Sequence, residues 1–165
     1  MPHFILEYSR NLEPELDVEA LFRTLRSAAL ETGIFPPGGI RFRAYPCETY
    51  LVADGNPQNG FVHLTLKLGH GRPIDVRRSA GEKLFAALTE HLNPIYEKRP
   101  LAISFEMREL DPELSFKKNN LHGSGASAFA QSASARPRRS PKGGGGSTAR
   151  MRRTVRGRGG RAPRH

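Results

Sequence analysis

A single cysteine, Cys47, stands among 165 residues, and tryptophan is absent. One thiol cannot build an internal disulfide framework, and it supplies no zinc constellation. His3, His63, His70, His91 and His122 show none of the tight spacings of a metal site and read as surface or structural histidines. No stretch approaches the roughly 20 apolar residues that a membrane span needs. The N-terminus lacks the basic region and apolar run of a signal peptide, so a soluble, cytoplasmic protein is expected. Gly69-His70-Gly71 is too short for a phosphate loop and lacks the later glycine of the dinucleotide fingerprint. There is no serine nucleophile elbow, and nothing around Cys47 suggests a thiol enzyme. Metal and cofactor therefore have no support in the sequence.

Acidic residues are missing from one end. The chain holds 26 Lys and Arg against 16 Asp and Glu, a formal charge of +10, but the last acid is Glu113. Residues 1–122 carry 15 basic and 16 acidic side chains, and residues 123–165 hold the other 11 cations, all arginine but Lys142. That tail also contains the Gly143–Gly146 run and many Ser, Ala and Pro, with Phe129, Met151 and Val155 its only large apolar residues. Such a segment cannot bury enough apolar surface to offset its ordering entropy, and a disordered basic tail is predicted. Arg-Gly clusters of this kind can neutralise phosphates, so nucleic-acid binding through the tail is one functional reading. The tail lacks interleaved aromatics, which weighs against it. The remaining body has the size of one small domain, for which oligomerisation is a reasonable expectation.

Within the body, two halves repeat one scheme. His3–Tyr8 alternates as a strand; Asp17 reads as an N-cap before Val18, Leu21, Phe22, Leu25, Ala28 and Ala29 at helical spacing, and Gly33 as the stop. Ile40–Tyr45 reads as strand, with a continuation through Glu48–Ala53 and Pro46 marking an edge or bulge. Asp54-Gly55-Asn56-Pro57 is a turn. Phe61–Leu68 alternates again, Pro73 suits a first helical turn, and Ala80, Leu84, Ala87, Leu88, Leu92 and Ile95 form an apolar stripe. Pro94 predicts an end or bend near Asn93. Leu101–Arg108 closes as a strand. Helix-length crossovers imply two right-handed βαβ units in an α+β domain: a four-stranded mixed sheet with two helices on one face. The open face predicts a covering subunit.

The chemistry that remains gathers at Pro2. Removal of Met1, usual when residue 2 is small, would leave Pro2 with a secondary amine held by a strand where most chain ends fray. An α-amino group titrates near ~8, and partial burial with nearby cations would pull it toward neutrality, making a candidate general base. The plain alternative is a proline that merely starts a strand, where its missing N–H costs little. Arg41 follows Pro36-Pro37-Gly38-Gly39, and Arg72 follows Gly69-His70-Gly71. Two guanidinium groups beside the amine would suit a substrate with several carboxylates. Each could equally be an ordinary surface arginine, and Arg43 shares a strand face with Arg41, so pattern does not separate the two.

Pro2-His3-Phe4-Ile5, Thr32-Gly33-Ile34-Phe35-Pro36, Gly39-Ile40-Arg41, Ala53-Asp54-Gly55, Phe61-Val62-His63, Thr65-Leu66-Lys67, Gly71-Arg72, Ala80-Gly81-Glu82, Ser104-Phe105-Glu106 and Phe116-Lys117-Lys118-Asn119-Asn120 occur in one order. Together they resemble the 5-carboxymethyl-2-hydroxymuconate delta-isomerase family of the tautomerase superfamily, over roughly residues 2–122. The resemblance implies the duplicated βαβ fold, a homotrimer, no cofactor, and a place in homoprotocatechuate (4-hydroxyphenylacetate) breakdown. It implies Pro2 as the acid/base and Arg41 and Arg72 as holders of the carboxylate and oxo groups of a polycarboxylate dienol. A related tautomerase acting on another 2-hydroxydienoate or on phenylpyruvate would use the same groups. Pro94, the loop residues His70 and Pro73, and the tail from Gly123 depart from the family pattern.

Overall fold

The computed structural model describes residues 1–121; the tail read above as residues 123–165, and His122, lie outside the described residues. Strand β1 (His3–Ser9) leads through a 3-10 turn to helix α1 (Val18–Glu31), strand β2 (Arg41–Cys47) and strand β3 (Gly60–Gly69). Helix α2 (Ile74–Tyr96) and strand β4 (Leu101–Leu110) complete the domain. Asp17 caps α1, its carboxylate accepting from the Ala20 N–H at 2.9 Å, which stabilises the helix by about 1 kcal/mol. Gly33 follows the helix at φ 72°, the left-handed geometry that ends helices at little cost for glycine.

The sheet runs β2-β1-β3-β4. The outer pairs β1–β2 and β3–β4 are parallel and the central pair β1–β3 is antiparallel, so each βαβ half joins the other through its first strand. Phe4, Leu6 and Tyr8 of β1 and Val62, Leu64, Leu66 and Leu68 of β3 are buried in one cluster with Leu21 and Leu25 of α1 and Leu84, Leu88 and Leu92 of α2. Both helices therefore cover the same face. Each fully buried leucine contributes about 1.5–3 kcal/mol relative to exposure.

The opposite face is polar. In register across the four strands stand Arg41, His3, Lys67 and Arg108, then Arg43, Ile5, Thr65 and Glu106. On it the His63 Nδ1 lies 2.7 Å from the Ser104 hydroxyl, and the Thr65 hydroxyl donates to Glu106 at 3.2 Å.

Two expectations are corrected. Residues 48–53 are not strand: the β1–β2 ladder ends at Ser9 with Cys47, where β1 turns into the 3-10 turn, leaving the following residues no partner. Leu51 is exposed there, and Ala53 sits at φ 52°. Of the end or bend expected near Asn93, the end does not occur: the second helix continues through Pro94 to Tyr96. Proline forfeits one hydrogen bond and crowds one carbonyl, yet Leu92 and Ile95 are buried on either side and hold the last turn in the core. Pro46 lies in β2 at the sheet edge, where its missing N–H faces no neighbouring strand.

Candidate functional site

The start of β1 is the centre of the candidate site. Pro2 is buried, and its carbonyl accepts from the Arg41 backbone N–H at 3.0 Å, tying the chain end to the first residue of β2. Before β2 a 3-10 turn, Pro37–Gly39, brings Gly39 against the proline ring. A Cβ on Gly39 would lie 3.4 Å from Pro2 Cδ and 3.3 Å from Pro36 Cγ, so glycine here permits the close approach.

Arg41 is fixed by its surroundings. Its Nη1 donates to the Gly38 and Ile40 carbonyls, each at 3.0 Å, and its Nη2 reaches the Asn119 side-chain oxygen at 3.4 Å and lies 3.7 Å from the Met1 sulfur. Arg72 donates from Nη1 to the Gly69 carbonyl at 3.1 Å and from Nη2 to the Ile34 carbonyl at 2.9 Å. Its guanidinium lies 5.9 Å from the ring centroid of Phe35, a cation–π contact. Neither arginine is paired with a carboxylate among the described residues; the nearby Glu109 pairs with Arg77 instead. Arg43 parts company with Arg41 here, because its Nη1 lies 3.3 Å from His3 Nδ1 on the polar sheet face. Beside a guanidinium that can only donate, Nδ1 acts as the acceptor.

Burial holds the Met1 ammonium below its ordinary value, and the charges of Lys117, Arg72 and Arg41 push the same way. That amine stands one residue outward from the Pro2 nitrogen and reports the field at this end of the strand. His3 is also held low, by burial first and then by Arg43, the chain terminus, Arg41 and Lys67. The structure thus brings Pro2, Arg41 and Arg72 together around one chain end. It adds two side chains that chemical pattern alone passed over. Lys117 and Asn119 follow β4 in a segment without regular structure, and nothing in the composition of that segment separates Lys117 from Lys118.

Among the described residues no group of three or more His, Cys, Asp or Glu side chains could hold a metal ion. No helix among them is long and apolar enough to cross a membrane. What the site offers is fixed positive charge around a partly desolvated nitrogen. That arrangement can bind an anion and move a proton.

Comparison with known proteins gives the same direction. The profile of the 5-carboxymethyl-2-hydroxymuconate isomerase family matches residues 2–124. The 5-carboxymethyl-2-hydroxymuconate Delta-isomerase of Escherichia coli is 46% identical over 122 residues, covering 74% of this chain and 97% of that protein. A crystal structure of a 5-carboxymethyl-2-hydroxymuconate isomerase from Deinococcus radiodurans R1 is 42% identical, with a TM-score of 0.69 over 73% of this chain and 90% of that one. Another 5-carboxymethyl-2-hydroxymuconate delta-isomerase structure superposes with a TM-score of 0.70 at 34% identity, covering 74% and 91% of the two chains.

Proposed function

This chain belongs to the 5-carboxymethyl-2-hydroxymuconate isomerase family and is an isomerase of that kind, and from that premise we propose that the amine of Pro2, freed by removal of Met1, shuttles a single proton along the dienol 5-carboxymethyl-2-hydroxymuconate. The amine takes the proton of the 2-hydroxyl group. The O–H electrons form the C2 ketone, the C2–C3 double bond moves to C3–C4, and the C4–C5 pair becomes available to bond a proton at C5. The same proton then reaches C5, giving the 2-oxo-3-ene with no change in atoms or oxidation state.

One observation carries the reading: at the Met1 amine, one residue outward from Pro2, burial and then three cations with no carboxylate partner among the described residues, Lys117, Arg72 and Arg41, all disfavour the charged form. A Pro2 amine freed at the same place would meet the same field, which favours its neutral, proton-accepting form. Arg41 and Arg72 would hold the substrate's carboxylate and oxo groups and stabilise negative charge on the dienolate oxygen. Backbone carbonyls already hold both guanidinium groups in place. The reading places the enzyme in homoprotocatechuate breakdown, in the cytoplasm.

We also propose a homotrimer. Phe105 and Met107 on the edge strand β4, with Ile74 and Phe85 of α2, line a groove of about 560 Å³, apolar surface of the kind another copy of the chain would cover.

Ultraviolet absorbance follows the reaction, since ketonisation shortens the conjugation. Intact mass of the purified protein is expected to lack Met1. A variant with one additional residue retained ahead of Pro2 should lose turnover by about 10²-fold or more with its circular dichroism unchanged. Turnover that survives this block would overturn the proline mechanism.

A further inference from the structure

We propose that Lys117 is a third anion-binding residue of this site, and that it takes the carboxylate of the substrate's carboxymethyl arm. The inference rests on the isomerase reading and deepens it. The Lys117 ammonium lies 3.5 Å from the point a Cβ on Gly69 would occupy. Gly69 is the last residue of β3, and its carbonyl is the one that Arg72 grips. In the antiparallel pairing of β1 with β3, His3 stands opposite Lys67. Two places further, the same register sets Gly69 opposite Met1. Lys117 is therefore beside the chain end, on the Arg72 side of β1.

Two residues later the same segment is anchored on the other side. The Asn119 amide donates to the Gly38 carbonyl at 3.2 Å, while its oxygen accepts from Arg41 Nη2 and, at 2.9 Å, from the Leu121 backbone N–H. Residues 117–119 thus cross the start of β1 from one arginine to the other. No ion pair involves Lys117 among the described residues. Its charge acts on the terminal amine, whereas Lys118 does not figure there.

Substrate chemistry supplies the complement. A muconate carries two carboxylates, and the carboxymethyl arm adds a third on a rotatable carbon. Two planar guanidinium groups suit the rigid conjugated part. A compact ammonium on a flexible stem suits a carboxylate that can swing.

The test compares 5-carboxymethyl-2-hydroxymuconate with 2-hydroxymuconate, which lacks the arm, using the full chain. Lys117→Met should lower kcat/KM for the three-carboxylate substrate by about 10- to 100-fold, chiefly through KM. The fall on 2-hydroxymuconate should be smaller by about tenfold, and Lys117→Arg should restore most of the difference. Lys118→Met, as the control, should leave the ratio of the two substrates within about twofold. Equal losses on both substrates, or none on the first, would overturn the proposal. Calorimetric titration with propane-1,2,3-tricarboxylate and with glutarate reads the same preference without turnover. The wild-type preference for three carboxylates should vanish in Lys117→Met, and its persistence would equally overturn the assignment. Failure of the proline mechanism is distinguishable, because it appears as turnover by the N-terminally blocked enzyme whatever the substrate ratio.

Discussion

Arg41 and Arg72 direct donors at backbone carbonyls and not, among the described residues, at carboxylates. The carbonyls orient each guanidinium without neutralising it, so its charge remains available to a ligand. Removing one charge should act on the base as well as on binding. Arg72→Gln is expected to let the Pro2 ammonium titrate higher, moving the acid limb of the kcat/KM profile to higher pH, since the base works only when unprotonated. At neutral pH kcat/KM should fall by about 10²-fold, and pH–rate profiles of the two proteins check both effects. Pro2, Arg41 and Arg72 stood out in the sequence as candidates because each adjoins a turn or a strand start, and the family resemblance singled them out. The distinction between Arg41 and Arg43 was not, since alternate residues of a strand share a face. It took the neighbouring His3, engaged with Arg43, to separate them.

At the scale of elements, the two helices meet through a polar contact as well as through leucines. The Thr24 hydroxyl of α1 lies 3.2 Å from His91 Nδ1 of α2. Burial holds the His91 imidazole below its ordinary value, with the charge of Asp17 opposing. The folded protein therefore binds this proton less readily than the unfolded chain. Stability from this group is full above the unfolded value of about 6.5 and declines as the pH falls from there toward the folded value. His3 is shifted in the same direction and adds to the slope. His91→Gln should flatten part of the loss between pH 7 and pH 5, read as the change in urea midpoint. Hydrophobic period and cap chemistry made both helices and all four strands readable. The errors fell where local and tertiary effects compete. Pro94 signals an end that the buried Ile95 overrides, and the alternation after Cys47 suggests a strand for which no partner exists.

The whole molecule is a half-covered sheet. One face lies under two helices, while the other sets Arg41, His3, Lys67 and Arg108 side by side, a row of groups that gain little from one another. The apolar groove at the β4 edge is the surface a second copy would bury. Sedimentation velocity should give the mass of three chains. Phe105→Glu, placing a charge in that groove, should shift the protein to smaller species. A wild-type protein sedimenting as one chain would remove the trimer from the account.

By itself, the amino-acid sequence determined the two βαβ repeats and the family, and it offered Pro2, Arg41 and Arg72 as candidates, because these depend on local periodicity, turn chemistry and ordered motifs. Tertiary structure alone decided that Lys117 and Asn119 belong with them. Their position arises from a segment folding back across strands that lie far away in the chain, and no local pattern encodes which lysine of a pair will arrive beside the first strand.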